Sequence, residues 1–404
     1  MLALLLAPIY LIVSVYVLRW VFRFIEACFQ RNRKNSQESR TKWIKVLFTA
    51  IYAFVCLTPL ISFLMKESDV KRIISQIGCF WMGIFLYLVL IIILFDLIRW
   101  IIKKQPFLKR QILSGPRMLI LTGCAVILLT AGITLYGTYN AREIRVTRYS
   151  VEIPSEAMNG RTMKIVLAAD LHLGYSIGYK QAERMADLIN AAEPDLVCLA
   201  GDIFDNQYDA LDDPEKIREA LSRIDSKYGV YACYGNHDYE EKILAGFTFD
   251  SEEHVYIGDK MRQLLFDAGI RTLEDETVLI DDSFYVVGRK DYSSRKKSGS
   301  GRMSADELLR GLDPEKPVIV IDHQPRELEE LSSAGADLDL CGHTHDGQTF
   351  PGNIVTSLIW ENSCGYLKKG GMHNIVTSGA GIFGPYMRVG TKSEIVEINV
   401  KFIK

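Results

Sequence analysis

The chain runs to 404 residues, too many for one ordinary domain, so two or three units are expected. Its 47 basic side chains against 49 acidic leave a net charge of -2, which excludes a bulk basic surface and argues against a nucleic-acid partner. Apolar residues make up 49% of the whole but crowd into residues 1–140, and the remainder has the balance of a soluble α/β protein.

The N-terminal third predicts an all-α transmembrane module. Four apolar stretches, roughly Leu2–Phe29, Val46–Met65, Ile77–Ile102 and Met118–Tyr139, each reach the ~20 residues a helix needs to cross a bilayer. The linkers between them hold six, three and four Lys or Arg in turn, with Arg117 following the last four just before the final span. Cytoplasmic loops carry the excess of positive charge, so the first and third linkers are placed inside and everything after residue 140 on the extracytoplasmic side. A cleaved signal peptide is the competing reading of residues 1–28. No basic segment opens it, no small-x-small site closes it, and three more spans follow. Asp96 and Glu26 lie near span ends, where local pairing with Arg99 and Arg23 or snorkelling is expected. The spans hold no histidine and no acidic cluster, and read as an anchor rather than a transport path. Eight cysteines show no CxxC and no paired spacing, which favours lone buried thiols over a disulfide framework.

Residues 141–160 read as a linker and 161–404 as a catalytic domain. Short β-rich runs alternate there with amphipathic helices: strands at Met163–Ala169, Leu196–Ala200 and Gly229–Tyr234, helices at Lys180–Ala192 and Pro214–Ile224. Later strands are expected at Thr277–Ile280, Phe284–Gly288, Val318–Ile321, Leu338–Cys341, Asn374–Ser378 and Glu394–Ile398, with helices near Lys260–Ala268 and Ala305–Leu312. Alternation followed by a strand-rich half predicts a mixed α/β sandwich of two central sheets covered by helices. Tyr239–Asp259 and Asp291–Met303 read as loops. The second is either a solvated loop or a lid whose Arg295, Lys296, Lys297 and Arg302 cover an anionic substrate.

Five of the seven histidines fall into an ordered series of clusters, each at the end of a predicted strand. The series is Asp170-Leu171-His172, Gly201-Asp202, Gly235-Asn236-His237-Asp238, Asp322-His323-Gln324-Pro325 and Gly342-His343-Thr344-His345. Imidazole and carboxylate are the ligands of Zn, Mn and Fe, and loops at the C-terminal ends of strands converge on one rim. Taken singly, each residue could merely cap a turn. Taken as a set they predict a two-metal hydrolase: Asp170 and His172 face one ion, Asp202 can bridge two, Asn236 supplies a neutral oxygen, and His323, His343 and His345 complete the ligands. Such a pair of divalent ions lowers the pKa of a bridging water, which attacks phosphorus, and clamps the attacking and leaving oxygens. His237 is expected to point away from the ions and protonate the leaving oxygen, with Asp238 orienting its ring.

This order of motifs resembles the calcineurin-like metallophosphoesterase superfamily over about residues 160–400. The resemblance implies a four-layer αββα sandwich. It also implies one metal on Asp170, His172, Asp202 and His345, and a second on Asp202, Asn236, His323 and His343. Asp205 fits the family's GDxx(D/E) pattern in a supporting role. The tail Ser378-Gly379-Ala380-Gly381, Pro385 and Arg388 is similar to the membrane-associated branch, which usually has glycine where Asp346 stands. Gly347 and Gln348 read equally as a turn or a substrate contact, and Arg388 as a salt bridge or a phosphate ligand. His254 and His373 read as surface residues. The function implied is hydrolysis of a phosphoester or pyrophosphate on a small or lipid-linked substrate. The alternative is a membrane sensor or scaffold that binds phosphorylated ligands through the same domain.

Overall fold

A computed structural model describes residues 2–29, 35–104, 115–205, 207–239, 243–244, 247–248, 255–294, 298–299 and 301–404. The chain divides into two compact units, residues 1–138 with two short later segments, and the rest from Tyr139 onward.

The first unit is built on α1 (Leu2–Phe29), α2 (Asn35–Leu64), α3 (Asp69–Lys104) and α4 (Pro116–Arg142). Each is long and apolar enough to cross a membrane. The helices overrun the predicted stretches because their polar flanks, such as Glu38–Lys45, are good helix formers. Polar ties link them: Trp81 donates to the Tyr10 hydroxyl at 3.0 Å, and Tyr52 to the Ser14 carbonyl at 3.0 Å. Buried in an apolar medium, such bonds replace the missing hydrophobic drive between helices. Asp96 accepts from Tyr16 of α1 at 2.7 Å, and Glu26 pairs with Lys45 of α2, so both carboxylates join helices rather than meeting Arg99 and Arg23. All eight cysteines are free, and Cys28 and Cys124 are exposed rather than buried.

The second unit begins with a strand that the sequence reading took for a linker. β1 (Ile144–Pro154) pairs in parallel with β12 (Ser393–Ile403) along its whole length. The first sheet runs β1-β12-β2-β3-β4-β5, where β2 is Thr162–Ala168, β3 Leu196–Ala200, β4 Val230–Cys233 and β5 Ile270–Thr272. The second runs β10-β11-β9-β8-β7-β6, where β6 is Glu276–Ile280, β7 Phe284–Gly288, β8 Val318–Ile321, β9 Leu338–Cys341, β10 Gly365–Lys369 and β11 Met372–Val376. Ile165, Leu167, Cys198 and Ile398 of the first sheet share one core with Val286, Ile319, Leu340 and Ile375 of the second, so the sheets stack face to face.

Their outer faces are buried too. Val166, Val197 and Leu199 point away from that core and are wholly enclosed, which helices must cover. On the first sheet's side lie α5 (Tyr179–Ala191), α6 (Pro214–Ser222) and α7 (Asp259–Asp267). On the second, Leu308 and Leu331 from α8 (Ala305–Leu308) and α9 (Leu328–Ser333) pack on Val287 and Val320. The four-layer αββα order follows. Local signals set the helix ends: the Asp213 side chain accepts from the Lys216 amide at the start of α6, and Ser304 with Glu307 forms a capping box on α8. α8 stops four residues before the predicted Leu312. α9, β5, β10 and a further helix, α10 (Gly352–Ile359), were not anticipated.

Ile398 sits between the sheets on the strand that ties β1 to β2. Ile398→Ala is expected to cost about 2–5 kcal/mol in denaturant unfolding of the full chain in detergent. Phe266→Ala, on an exposed face of α7, should stay within about 0.5 kcal/mol.

Candidate metal centre

All five clusters leave the C-terminal ends of parallel strands: Asp170 after β2, Asp202 after β3, Asn236 after β4, His323 after β8 and His343 after β9. Because the two sheets stack, these ends meet. Asp170, His172 and His345 form one group whose ligand atoms lie within 4.8 Å of one another, and Asp202, His323 and His343 form another. His172 Nε2 lies 3.0 Å from His345 Nε2, and His343 Nδ1 lies 3.1 Å from His323 Nε2. Atoms bound at about 2.1 Å to one cation stand about 3.0–3.4 Å apart, so both nitrogen pairs have the spacing of shared ligands. The Asp202 Oδ2 stands between them, 3.2 Å from His323 Nε2 and 3.7 Å from His172 Nε2. The Asn236 Oδ1 lies 3.2 Å from His323 Nε2, which adds it to the second group.

The backbone here is bent to bring these atoms together. Asp170, His172, Asp202, His343 and His345 all have positive φ, between 48° and 73°. Left-handed conformations at non-glycine residues cost energy and persist where the surroundings impose them. Glycines make the close approach possible: a Cβ on Gly235 would collide with the Asp202 carboxylate, and one on Gly201 would lie 2.7 Å from the His323 ring. Asp346, at φ 51°, occupies a conformation that favours glycine and that aspartate tolerates.

Electrostatics suit cations. Burial first, then neighbouring positive charge, holds His343 and His345 well below their ordinary range, so both are neutral and ready to ligate. Burial alone would lower His323, but Asp202 raises it well above, so that pair keeps a proton which a divalent ion would displace. Burial and the nearby Asp202 push Asp170 up to about 6, despite two backbone bonds from the His343 amide at 2.9 and 3.0 Å. Such a set of buried imidazoles and carboxylates fits divalent metal.

The surrounding shell departs from expectation in four places. Asp238 does not orient His237; its carboxylate accepts the Phe204 amide at 2.8 Å and the Gly235 amide at 2.7 Å and pins the turn. Asp205 faces the ring instead, with Oδ1 4.0 Å from His237 Nδ1 and 3.6 Å from His172 Nδ1. Arg388 neither binds at the rim nor forms an ion pair among the described residues. Fully buried, it donates to the carbonyls of His345, Ser378 and Gly381 at 3.2, 2.5 and 2.8 Å and cradles the loop that carries His345. Burial lowers its guanidinium to about 10. Arg302 is not a lid residue, because it turns inward to Asp322 at 3.0 Å beside Arg289, also at 3.0 Å. Arg295, Lys296, Lys297 and His254 lie outside the described residues, as does most of Tyr239–Asp259. His373 is buried between Tyr366 and Glu152, not at the surface.

Two residues at the centre, Phe383 and Arg326, had no motif to mark them. The Phe383 ring lies 4.4 Å from that of His237 and 5.3 Å from that of His172. Gln348 accepts from and donates to the Phe383 backbone, at 2.8 and 2.7 Å. Arg326, three residues after His323, has its guanidinium between Tyr292 at 4.7 Å and Trp360 at 4.4 Å, and Trp360 is 5.2 Å from His343. Its Nε donates to the Gln324 side chain at 3.1 Å, and no carboxylate pairs with it among the described residues, which leaves a cation without a paired anion beside the second group.

A calcineurin-like phosphoesterase family profile matches residues 163–347, which take in every ligand candidate. An uncharacterised metallophosphoesterase of Aquifex aeolicus is 31% identical over 275 residues, covering 66% of this chain and 97% of that protein. The chain belongs to the calcineurin-like metallophosphoesterase family. This metallophosphoesterase is also 31% identical over 290 residues to a transmembrane protein with metallophosphoesterase domain of Danio rerio, covering 68% of this chain and 62% of that one. It spans 64% of the length of the Bos taurus protein of the same description, at 27% identity. A UDP-2,3-diacylglucosamine pyrophosphatase of Chlamydia trachomatis is 21% identical over 238 residues, covering 51% of this chain and 70% of that one. The chain therefore joins a domain of the calcineurin-like phosphoesterase family to four helices long and apolar enough to cross a bilayer.

Asp205→Asn removes the negative charge that faces His172 Nδ1. It should weaken divalent-metal affinity about 10–100-fold, read by competition with a chelator, with the fold unchanged by circular dichroism.

Proposed function

We propose that this metallophosphoesterase is a membrane-anchored hydrolase with two divalent ions, one on Asp170, His172, Asp202 and His345, the other on Asp202, Asn236, His323 and His343. The carrying observation is the buried Asp202 carboxylate set between two pairs of converging imidazole nitrogens. Two ions held there supply a water that is nucleophilic near neutral pH and neutralise charge on the phosphoryl oxygens. His237 donates a proton to the leaving oxygen, while Asp205 keeps its Nδ1 side oriented. Phe383 covers the His172 and His237 rings and excludes bulk water. Arg326 draws a phosphate oxygen towards the second group, its planar cation held in place by Tyr292 and Trp360.

Residues 1–140 serve as the anchor, and the catalytic domain takes in β1. The Lys and Arg bias of the linkers supports an extracytoplasmic position for that domain. A tethered active site favours substrates that share the membrane, and the pyrophosphatase relative is named for a diacylated nucleotide sugar. The substrate class is therefore a lipid-linked phosphoester or pyrophosphate. A binding-only sensor would tolerate loss of a ligand or of His237, and neither is lost here.

Full-length protein should hydrolyse bis-p-nitrophenyl phosphate with Mn and not with chelator. Asp202→Ala is expected to lower kcat about 10³-fold or more with loss of metal. His237→Ala should lower it about 10²–10⁴-fold with metal retained. Arg326→Ala should lower kcat/KM about 10–100-fold, chiefly through KM. Full activity in Asp202→Ala would overturn the ligand assignment.

A further inference from the structure

α10 inverts the usual pattern of a surface helix. Ile354, Val355, Leu358 and Ile359 lie on one contiguous stripe and are 50%, 53%, 82% and 66% exposed, with Phe350 just before them at 48%. Gly352, Asn353 and Thr356 occupy the opposite side, and no residue of the helix is buried. A helix on a domain bathed in water turns such a stripe inward, and an apolar patch of this kind marks a binding surface. The helix carries no charged residue, and the aromatic Trp360 follows its last turn, as at the edge of a bilayer.

Both ends of α10 are fixed to the metal centre. Its start is seated on Gly347, two residues after His345, where a Cβ would collide with the Gly352 backbone. Its end, Trp360, meets His343 and Arg326. The chain entering α10 also shares a loop with the exit of the last span. Phe350 donates to the Val389 carbonyl at 2.8 Å, and Thr391 donates to the Gln348 carbonyl at 2.8 Å. Asn140, the residue after the predicted span Met118–Tyr139, donates to the carbonyls of Arg388 and Thr391 at 3.1 and 2.8 Å. Only Glu143 separates α4 from β1.

From these observations we propose that α10 is an interfacial helix, which sinks its Ile354, Val355, Leu358 and Ile359 face into the lipid bilayer next to the metal centre. The occupant is the bilayer itself, because the chain carries four helices long and apolar enough to cross one, the last joined to β1 through Glu143 alone, and the stripe offers apolar contact without charge. Trp360 and the Arg326 guanidinium, which has no carboxylate partner among the described residues, then lie at headgroup depth, where lipid phosphate is found. This deepens the proposed function by giving the centre its substrate from the membrane plane, yet its first test does not depend on hydrolysis.

The test uses the full chain in phosphatidylcholine nanodiscs, with Leu358→p-benzoylphenylalanine irradiated and lipid adducts read by mass spectrometry. Leu128, 72% exposed on α4, serves as the lipid-facing control, and Phe266, 75% exposed on α7, as the water-facing one. Position 358 should yield phospholipid adducts in amounts like position 128, and position 266 none. Position 358 behaving like 266 would overturn the proposal, as would a cross-link to a second copy of the chain. Adducts that form only with an added lipid-linked phosphate, and not with phosphatidylcholine, would also overturn it in favour of a substrate groove. In a second arm, Leu358→Glu with Ile359→Glu should lower hydrolysis of a phospholipid-borne ester at least about tenfold and leave p-nitrophenyl ester hydrolysis unchanged. Equal loss on both esters would contradict the interfacial role. Absence of all hydrolysis in the parent protein would instead count against the proposed function, with the adducts still deciding α10.

Discussion

Asp202 is a carboxylate with almost no access to water, and burying such a charge is costly unless partners surround it. Its Oδ1 accepts the His237 amide at 2.7 Å, and its Oδ2 faces His323 and His172. Imidazolium at His323 lowers its pKa well below the ordinary range even against burial. The rest of the domain supplies what this one carboxylate requires: β3 aims it, Gly235 leaves room for it, and the second sheet brings His323 against it. Two stacked sheets are needed because the ligands come from both. A single parallel sheet would present only one of the two imidazole pairs.

The same constraint explains where the outer shell is polar although buried. Arg289 and Arg302 pair with Asp322, which precedes His323, and with Glu327, so two cations meet two carboxylates and that turn carries a balanced charge into the interior. Arg388 performs the equivalent task for the His345 loop by donating to the carbonyls of His345, Ser378 and Gly381. Asp238 does so for the Asn236 turn with two backbone amides. Each of these groups stabilises a strained loop rather than touching a reacting atom.

The clusters were legible because a short, nearly continuous apolar run ends at each of them, and ligands at strand ends face a common rim. β1 was not legible: Arg145, Arg148 and Glu152 interrupt its apolar alternation, and its partner β12 is some 250 residues away. Adjacency misled at Asp238, since neighbouring residues in a tight turn point apart, and the carboxylate that serves His237 comes from Asp205. Charge misled at Arg302, because a basic glycine-serine segment looks solvated unless the buried Asp322 is known. α10 escaped because sequence rules expect an apolar helical stripe to be core, and no residue of this one is buried.

Metal content is the most direct measure of the central claim. Full-length protein purified in detergent with Mn present should hold two ions per chain, and His343→Ala and His345→Ala should each hold one. One ion in the parent protein, or two retained in either variant, would contradict a centre built as two imidazole pairs joined through Asp202.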